Sequence, residues 1–322
     1  MSSISGTQPY RYEADDTWAK LPQGWVLKDV AGIAIDRADR VYLFNRGEHP
    51  VIVFGRDGNF LRSFGEGAFR APHAIQVTPE DDLLLTDSSG HVVYRYSLEG
   101  KLLLTIGIPG SPSPYLSGLP FNAPTHTAIA PNGDIYIADG YGNGKIHRYS
   151  CDGGYITSWG GGTGTNPGEF NVVHNICCDA DGLVYVADRE NHRIQIFDEK
   201  GHYLRQINNL HRPTGLFVPP ISRPNLYLTE FGPPLTVNRG YLNLGPRIRI
   251  LDNDGAELAR LGGQKPGLAA DEFVAPHAIA LDSRGNLYVG EVSTTMWHES
   301  FPDTPAPEGV RAFRMFRRIH VE

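Results

Sequence analysis

One segment recurs six times along this chain, and that recurrence restricts the fold more than any other feature. Aligned on an acidic position, the cores read "VAGIAIDRADRVYLFNR", "APHAIQVTPEDDLLLTDS", "PTHTAIAPNGDIYIADG", "VVHNICCDADGLVYVADR", "RPTGLFVPPISRPNLYLTEF" and "APHAIALDSRGNLYVGEV". Each is an alternating apolar run, a turn such as "PNGD", "DADG" or "DSRG", and a second alternating run. The turns supply Asn, Asp and Gly where a hairpin needs positive φ. A third run follows in most units ("HVVYRYSLEG", "HRIQIFDEKG"), then a fourth ("KLLLTIG", "GYITSWG"). Four antiparallel strands in about 40–50 residues describe a β-propeller blade. The chain is therefore expected to be all-β, one six-bladed propeller domain over residues 1–322. The last unit has no fourth run after "VRAFRMFRRIHV", and the N-terminal "PYRYEA" is a candidate to supply it. Segments 232–246 and 293–309 interrupt the pattern and are expected to be loops that shape a pocket, with Tyr241, Trp297 and His298 as its walls.

Charge and cysteine usage narrow the function classes. The net charge is −7 and no basic run is present, which argues against a nucleic-acid surface. No apolar stretch approaches transmembrane length, so no membrane partner is expected. The N-terminus lacks an apolar signal core. Cys151, Cys177 and Cys178 are odd in number, and two are adjacent, a poor start for a disulfide framework. Adjacent strand residues point to opposite faces, so Cys177 and Cys178 do not chelate one metal together and read as buried small apolar residues. A cytoplasmic location fits best.

Histidines occur at one register of the repeat in alternate copies only: His73, His174 and His277. Each precedes the closing acid (Asp87, Asp188, Glu291) by fourteen residues, and the histidines are 101 and 103 residues apart, two repeats each. In a ring of six blades, alternate units lie about 120° apart, so three imidazoles converge on the axis as tri-histidine metal ligation requires. The matching positions in the other units carry Ala31, Thr125 and Thr214. Neutral imidazole suits Zn²⁺, and also Fe, Mn or Co, and three protein ligands leave a position for water or substrate. The bland alternative is that "PH" is a repeat signature bonding to its neighbours. The other nine histidines, among them His49, His91, His147 and His202, share no register in this reading and are assigned to the surface or the scaffold, with His126 set apart near the channel mouth.

Loops after the second strand should open on the face of the channel-lining groups. They carry Arg46 ("FNRG"), Tyr141 ("DGYGNG") and Arg189 ("ADRENHR"). Two arginines and a tyrosine beside a metal can hold a carboxylate and transfer a proton. The alternative for Arg189 is a pair with Glu190.

"VYVADRENHRIQIF", "APTHTAIAPNGDIYIADGYGNGKI" and the "PH" starts resemble the NHL-repeat propellers. More narrowly they are similar to the peptidyl-α-hydroxyglycine α-amidating lyase domain of peptide-amidating enzymes, from about residue 30 to 295. The resemblance implies a six-bladed propeller with a central zinc held by His73, His174 and His277. It further implies a catalytic Arg46 (in "NRG" where the family has "HRG"), an active-site Tyr141 and a second arginine at Arg189. The family's reaction cleaves a carbinolamide, N–CH(OH)–COO⁻, to an amide and glyoxylate. Three departures limit the transfer. The aspartate that binds a structural calcium in the family is Ala278 here, so calcium is not expected. The disulfide cysteines of the secreted lyases are replaced at Gly142, Tyr185 and Ile196. The oxygenase domain that makes the hydroxyglycine substrate in the family is not expected to accompany this propeller.

The resulting expectation is a metal-dependent lyase acting on a small carbinolamide, hemiaminal or other hydroxylated substrate, anionic if the arginines bind it. The metal lowers the pKa of the substrate hydroxyl, Tyr141 transfers the proton, and Arg46 positions an anionic group. Two alternatives stay open: a metal-dependent hydrolase of an ester, lactone or amide, and a non-enzymatic NHL scaffold.

Overall fold

Alternating apolar residues and recurring Asp-led turns give this chain its strands. Asp36, Asp179 and Asp282 each accept hydrogen bonds on Oδ1 from backbone N–H groups two and four residues on, closing the first hairpin of blades 1, 4 and 6. In the same three blades a tyrosine on the second strand (Tyr42, Tyr185, Tyr288) donates its hydroxyl to the other oxygen of that aspartate. The turn chemistry that the repeat displays thus fixes the register of the hairpin that carries the axial residues.

The computed structural model describes residues 4–241 and 243–320. Six antiparallel sheets of four or five strands make up nearly all of its regular structure, and the fold is a six-bladed β-propeller. Blades 1 to 5 run consecutively, their innermost strands being Val30–Ile35, Pro72–Val77, His126–Ile129, Val173–Cys178 and Pro213–Phe217. Blade 6 takes Pro276–Leu281, Leu287–Glu291 and Phe313–Arg318 from the C-terminal end of the chain. Its fourth strand is Tyr10–Asp15, which pairs with Phe313–Arg318, and Ile4–Thr7 adds a fifth. The junction is reinforced by Arg314, a fully buried side chain whose Nε lies 2.6 Å from Asp16.

Hydrophobic side chains pack blade against blade. At the seam between blades 6 and 1, Val30, Leu43, Ile52 and Phe54 meet Ala278, Tyr288 and Phe313, with Trp18 wedged among them. Burial of each large apolar side chain contributes roughly 1.5–3 kcal/mol, so each seam is held by several such terms. Close approach at the centre also needs glycine. A side chain on Gly215 would meet the carbonyl oxygen of His277 at 2.6 Å, and one on Gly140 would collide with the carbonyl of Val173.

The two insertions differ from the expectation of plain loops. Thr236–Asn238 forms a single 3₁₀ turn in segment 232–246, where Leu242 lies outside the described residues. Segment 293–309 opens with an α-helix, α1 (Ser293–Ser300). Its sequence, STTMWHES, has no 3.6-residue apolar stripe and no local cap, which is why it is silent as a helix signal. The cap comes from the neighbouring blade 1: Asp29 accepts hydrogen bonds from Thr294 N, Thr295 N and Thr295 Oγ1. Among the described residues no helix is long and apolar enough to cross a membrane.

Candidate metal centre

The histidine register works through a fault in strand pairing. In blade 2 Pro72 faces Asp87, but Ala74 faces Thr86; the same one-residue slip occurs at Val173/Asn175 and Pro276/Ala278. The skipped residue is His73, His174 or His277. Each is therefore the extra residue of a β-bulge, a device that re-aims a side chain. Blade 1 skips Ala31 in the same way, and blade 5 slips between Pro213 and Leu216, around Thr214.

The three imidazoles meet on the axis. Their ring centroids are 4.7, 4.8 and 5.1 Å apart, with planes inclined by 64–77° to one another. One ligating nitrogen from each lies within 4.8 Å of the others, and all three side chains are buried. Each Nδ1 donates to a backbone carbonyl of the following odd blade: His73 to Thr125 (2.6 Å), His174 to Thr214 (2.9 Å) and His277 to Ala31 (2.8 Å). A carbonyl only accepts, so the proton must sit on Nδ1 and each Nε2 presents a lone pair.

That tautomer makes the centre electron-rich. The Tyr141 hydroxyl lies 2.9 Å from His73 Nε2 and 3.1 Å from His174 Nε2. One phenolic proton cannot serve two acceptors, so one oxygen–nitrogen pair is left with lone pairs facing each other. A cation resolves this conflict, and three imidazole nitrogens with an oxygen nearby match the donor preferences of Zn²⁺ and related divalent ions. The residues present thus fit a bound metal. Protonation is the other remedy, and the surroundings oppose it. Burial, then the neighbouring His277 and Arg46, hold His73 well below the usual imidazole range. Burial, then Arg189 and the other two histidines, do the same for His174, and burial and Arg46 bring His277 down to about 3.

Tyr141, Arg46 and Arg189 gather on one side of the triad. The Arg189 guanidinium lies 5.6 Å from the Tyr141 ring centre and 6.0 Å from that of Phe231. It also pairs with Glu190, Nε to Oε1 at 2.7 Å, so the alternative of an ion pair holds alongside proximity to the site. Glu190 simultaneously receives Arg212, a buried side chain on a residue with φ of 46°, which also lies 3.6 Å from Glu299 of α1. Burial opposes the charge on Arg189, but Tyr141 and Glu190 outweigh it and its pKa rises. Arg46 sends Nε to the Pro72 carbonyl at 3.0 Å and Nη1 toward Thr295 Oγ1 at 3.4 Å. Below the triad the axial channel narrows to a void of about 20 Å³ edged by His126 and Asn175, then opens into a cavity of about 410 Å³ at the opposite mouth.

Several sequence assignments change. The acids that mark the repeat stand outside the centre. Asp87, Asp188 and Glu291 accept N–H groups from the loops leading into the histidine strands (Arg70 and Ala71, Asn171, Val274 and Ala275) and so fasten those loops. Trp297 is buried with Phe231, Val274 and Val310, and its indole N–H bonds to Thr304 O, so it is a core residue and not a pocket wall. Tyr241 and His298 are exposed and line none of the cavities described. Cys177 and Cys178 are only partly buried and edge the wide cavity; Cys177 Sγ sits 3.1 Å from Leu216 O. The remaining histidines do include a shared register. His91 and His192 each follow the closing acid by four residues, adopt φ of 56–57°, and accept on Nδ1 a backbone N–H from the next blade's approach loop, Ala123 or Arg212. That spacing is visible in the sequence. The cross-blade partners Glu190–Arg212 and Asp29–Thr295 are not.

A propeller with three bulge-borne histidines on its axis is the class that fold and site define. The NHL repeat family model matches residues 170–197. Human "NHL repeat-containing protein 3" is 34% identical over 311 residues, covering 92% of this chain and 86% of that protein. The chain therefore belongs to the NHL repeat-containing protein family. It is also similar to "Peptidyl-alpha-hydroxyglycine alpha-amidating lyase 1" of Drosophila melanogaster, 30% identical over 261 residues, covering 75% of this chain but only 46% of the lyase. Among solved structures, "Streptogramin B lyase structure" superposes with a TM-score of 0.60 at 14% identity, covering 97% of this chain and 98% of the other, a likeness of fold alone.

Proposed function

We propose that this protein is a metal-dependent lyase that cleaves a small N-acyl-α-hydroxyglycine or related carbinolamide. The observation that carries the proposal is the Tyr141 hydroxyl set 2.9 and 3.1 Å from two imidazole nitrogens whose tautomer is fixed for metal binding. His73, His174 and His277 would hold the ion, with Zn²⁺ favoured and Fe, Mn or Co suited to the same donors. When bound, the ion supplies Lewis-acid polarisation that lowers the pKa of a substrate hydroxyl.

The chain's own groups account for the rest of the chemistry. Arg189 has Nε committed to Glu190, and Arg46 has Nε committed to Pro72 O, which leaves terminal N–H groups of both for a substrate carboxylate. Tyr141 takes the proton from the substrate hydroxyl and delivers it to the departing amide nitrogen. The C–N bond breaks, the C–O bond becomes a carbonyl, and the products are an amide and a glyoxylate-type aldehyde, with no water consumed. The similarity to the amidating lyase of Drosophila supports this reaction type.

The test combines metal analysis of the purified protein with an assay on an N-acyl-α-hydroxyglycine. The expected result is about one metal per chain and equimolar amide and aldehyde acid. A product set that incorporates water from an ester, lactone or amide would move the protein to the hydrolases. A metal-free protein whose His174→Ala variant is unaltered would identify a scaffold.

A further inference from the structure

The carbonyl in front of each metal-site histidine is itself held by a hydrogen bond, from a threonine hydroxyl in two cases and from an arginine in the third. Thr125 Oγ1 donates to Val173 O at 2.7 Å, just before His174. Thr214 Oγ1 donates to Pro276 O at 2.8 Å, just before His277. The blade 1 residue at this register is Ala31, which has no hydroxyl. There Arg46 Nε reaches Pro72 O at 3.0 Å, just before His73. These three bonds alternate with the three Nδ1-to-carbonyl bonds, so six hydrogen bonds run round the axis through every blade.

We infer that Arg46 is the third holder of this ring, a positioning residue that sets the His73 ligand in place of the missing threonine hydroxyl. The inference rests on the metal-site reading above and adds to it a role for Arg46 that precedes any contact with substrate. It rests on three properties. The acceptors are equivalent, each being the carbonyl at the mouth of a histidine bulge. The donors come from the same side, each from the odd blade before the histidine blade. Arg46 is also steadied from α1 through Thr295, whose hydroxyl is fixed by Asp29, so its Nε is aimed and not free to wander. Groups that orient metal ligands from behind contribute on the order of 10–100-fold to metal affinity.

Electrostatics makes the test sharp, because it predicts the opposite sign. A guanidinium near the triad repels a divalent cation, so removal of its charge alone should tighten metal binding. The experiment titrates metal-stripped full-length protein with Co²⁺ by visible absorption, and with Zn²⁺ in competition with a chromophoric chelator. Arg46→Met, Thr125→Val and Thr214→Val are each expected to weaken binding by about 10-fold. Unchanged or tighter binding by Arg46→Met, while the two threonine variants weaken, overturns the inference, as does unchanged binding by all three. Ala31→Thr added to Arg46→Met is expected to recover the lost affinity, and its failure in a variant that melts like the wild type counts against the inference equally. Arg46→Leu, which likewise carries no donor and is judged by the same affinity criterion, replaces the methionine variant if the latter does not fold. Wild-type protein that takes up no metal instead defeats the proposed function and this inference with it.

Discussion

His277 Nδ1 lies 2.8 Å from the carbonyl oxygen of Ala31, a residue 246 positions earlier in the chain. This contact crosses the seam between blades 6 and 1, and it fixes the tautomer of the last histidine to reach the axis. Assembly of the three-histidine cluster and the closure of the ring are thus one structural event.

Loss of any one imidazole should abolish the centre while leaving the fold. His174→Ala removes one of three ligands and leaves a small cavity, so the variant is expected to lose stoichiometric metal. Elemental analysis, with circular dichroism as the folding control, checks both halves.

Tyr141→Phe separates proton transfer from metal binding. The phenylalanine ring keeps the packing beside Arg189 but removes the hydroxyl, so Zn²⁺ should stay bound while turnover of an N-acyl-α-hydroxyglycine falls by about 10²–10⁴-fold. Full activity in a metal-loaded variant would remove Tyr141 from the chemistry.

Glu190 holds two arginines at once, with Nε of Arg189 at 2.7 Å and Nε of Arg212 at 3.1 Å. Glu190→Gln leaves both guanidinium groups without a full counter-charge. Because the Glu190 side chain keeps 24% of its surface exposed, the destabilisation should be about 1–2 kcal/mol, below that of a sealed pair. KM for an anionic substrate should rise more than kcat falls, since Arg189 is loosened and Tyr141 is left in place. Thermal melts and steady-state kinetics test the two statements.

Acid should weaken the metal-free protein in a defined window. Burial lowers His126 to about 4. The unfolded chain takes up a proton near pH 6.5, while the folded one does so only near 4. Between those values the unfolded state binds more protons, so stability falls as pH drops from 6.5 toward 4 and is fully present above 6.5. His126→Asn should reduce the loss between pH 7.5 and 5.5 by about 1 kcal/mol, read from urea melts at the two pH values.

Asp29→Ala removes the cap of α1 supplied from blade 1. The helix has no local capping residue, so a loss of about 1–2 kcal/mol is expected, concentrated in faster amide exchange over residues 293–300.

The repeats, the blade count and the histidine alternation were legible because each is a local pattern multiplied by symmetry. A bulge skips one residue, and the fourteen-residue spacing from each histidine to its acid is the trace of that slip, since the preceding proline or valine pairs with the acid across the strand. What the sequence concealed lies between blades. Asp29 caps a helix 265 positions away, and Glu190 joins Arg189 to Arg212 through a residue with positive φ. No local period encodes such contacts. Trp297 misled for a related reason: an aromatic in an insertion suggests a pocket wall, but α1 turns it into the core.

The interleaving of both chain ends in blade 6 has a consequence for biosynthesis. A ribosome delivers Ala31 and His73 early and His277 only after five blades have been made, and Phe313–Arg318 must then find Tyr10–Asp15. A nascent chain therefore displays at most two of the three axial histidines until His277 emerges. Under the proposed function, complete three-histidine ligation becomes available only once Phe313–Arg318 has paired with Tyr10–Asp15, so closure of the ring precedes metal uptake.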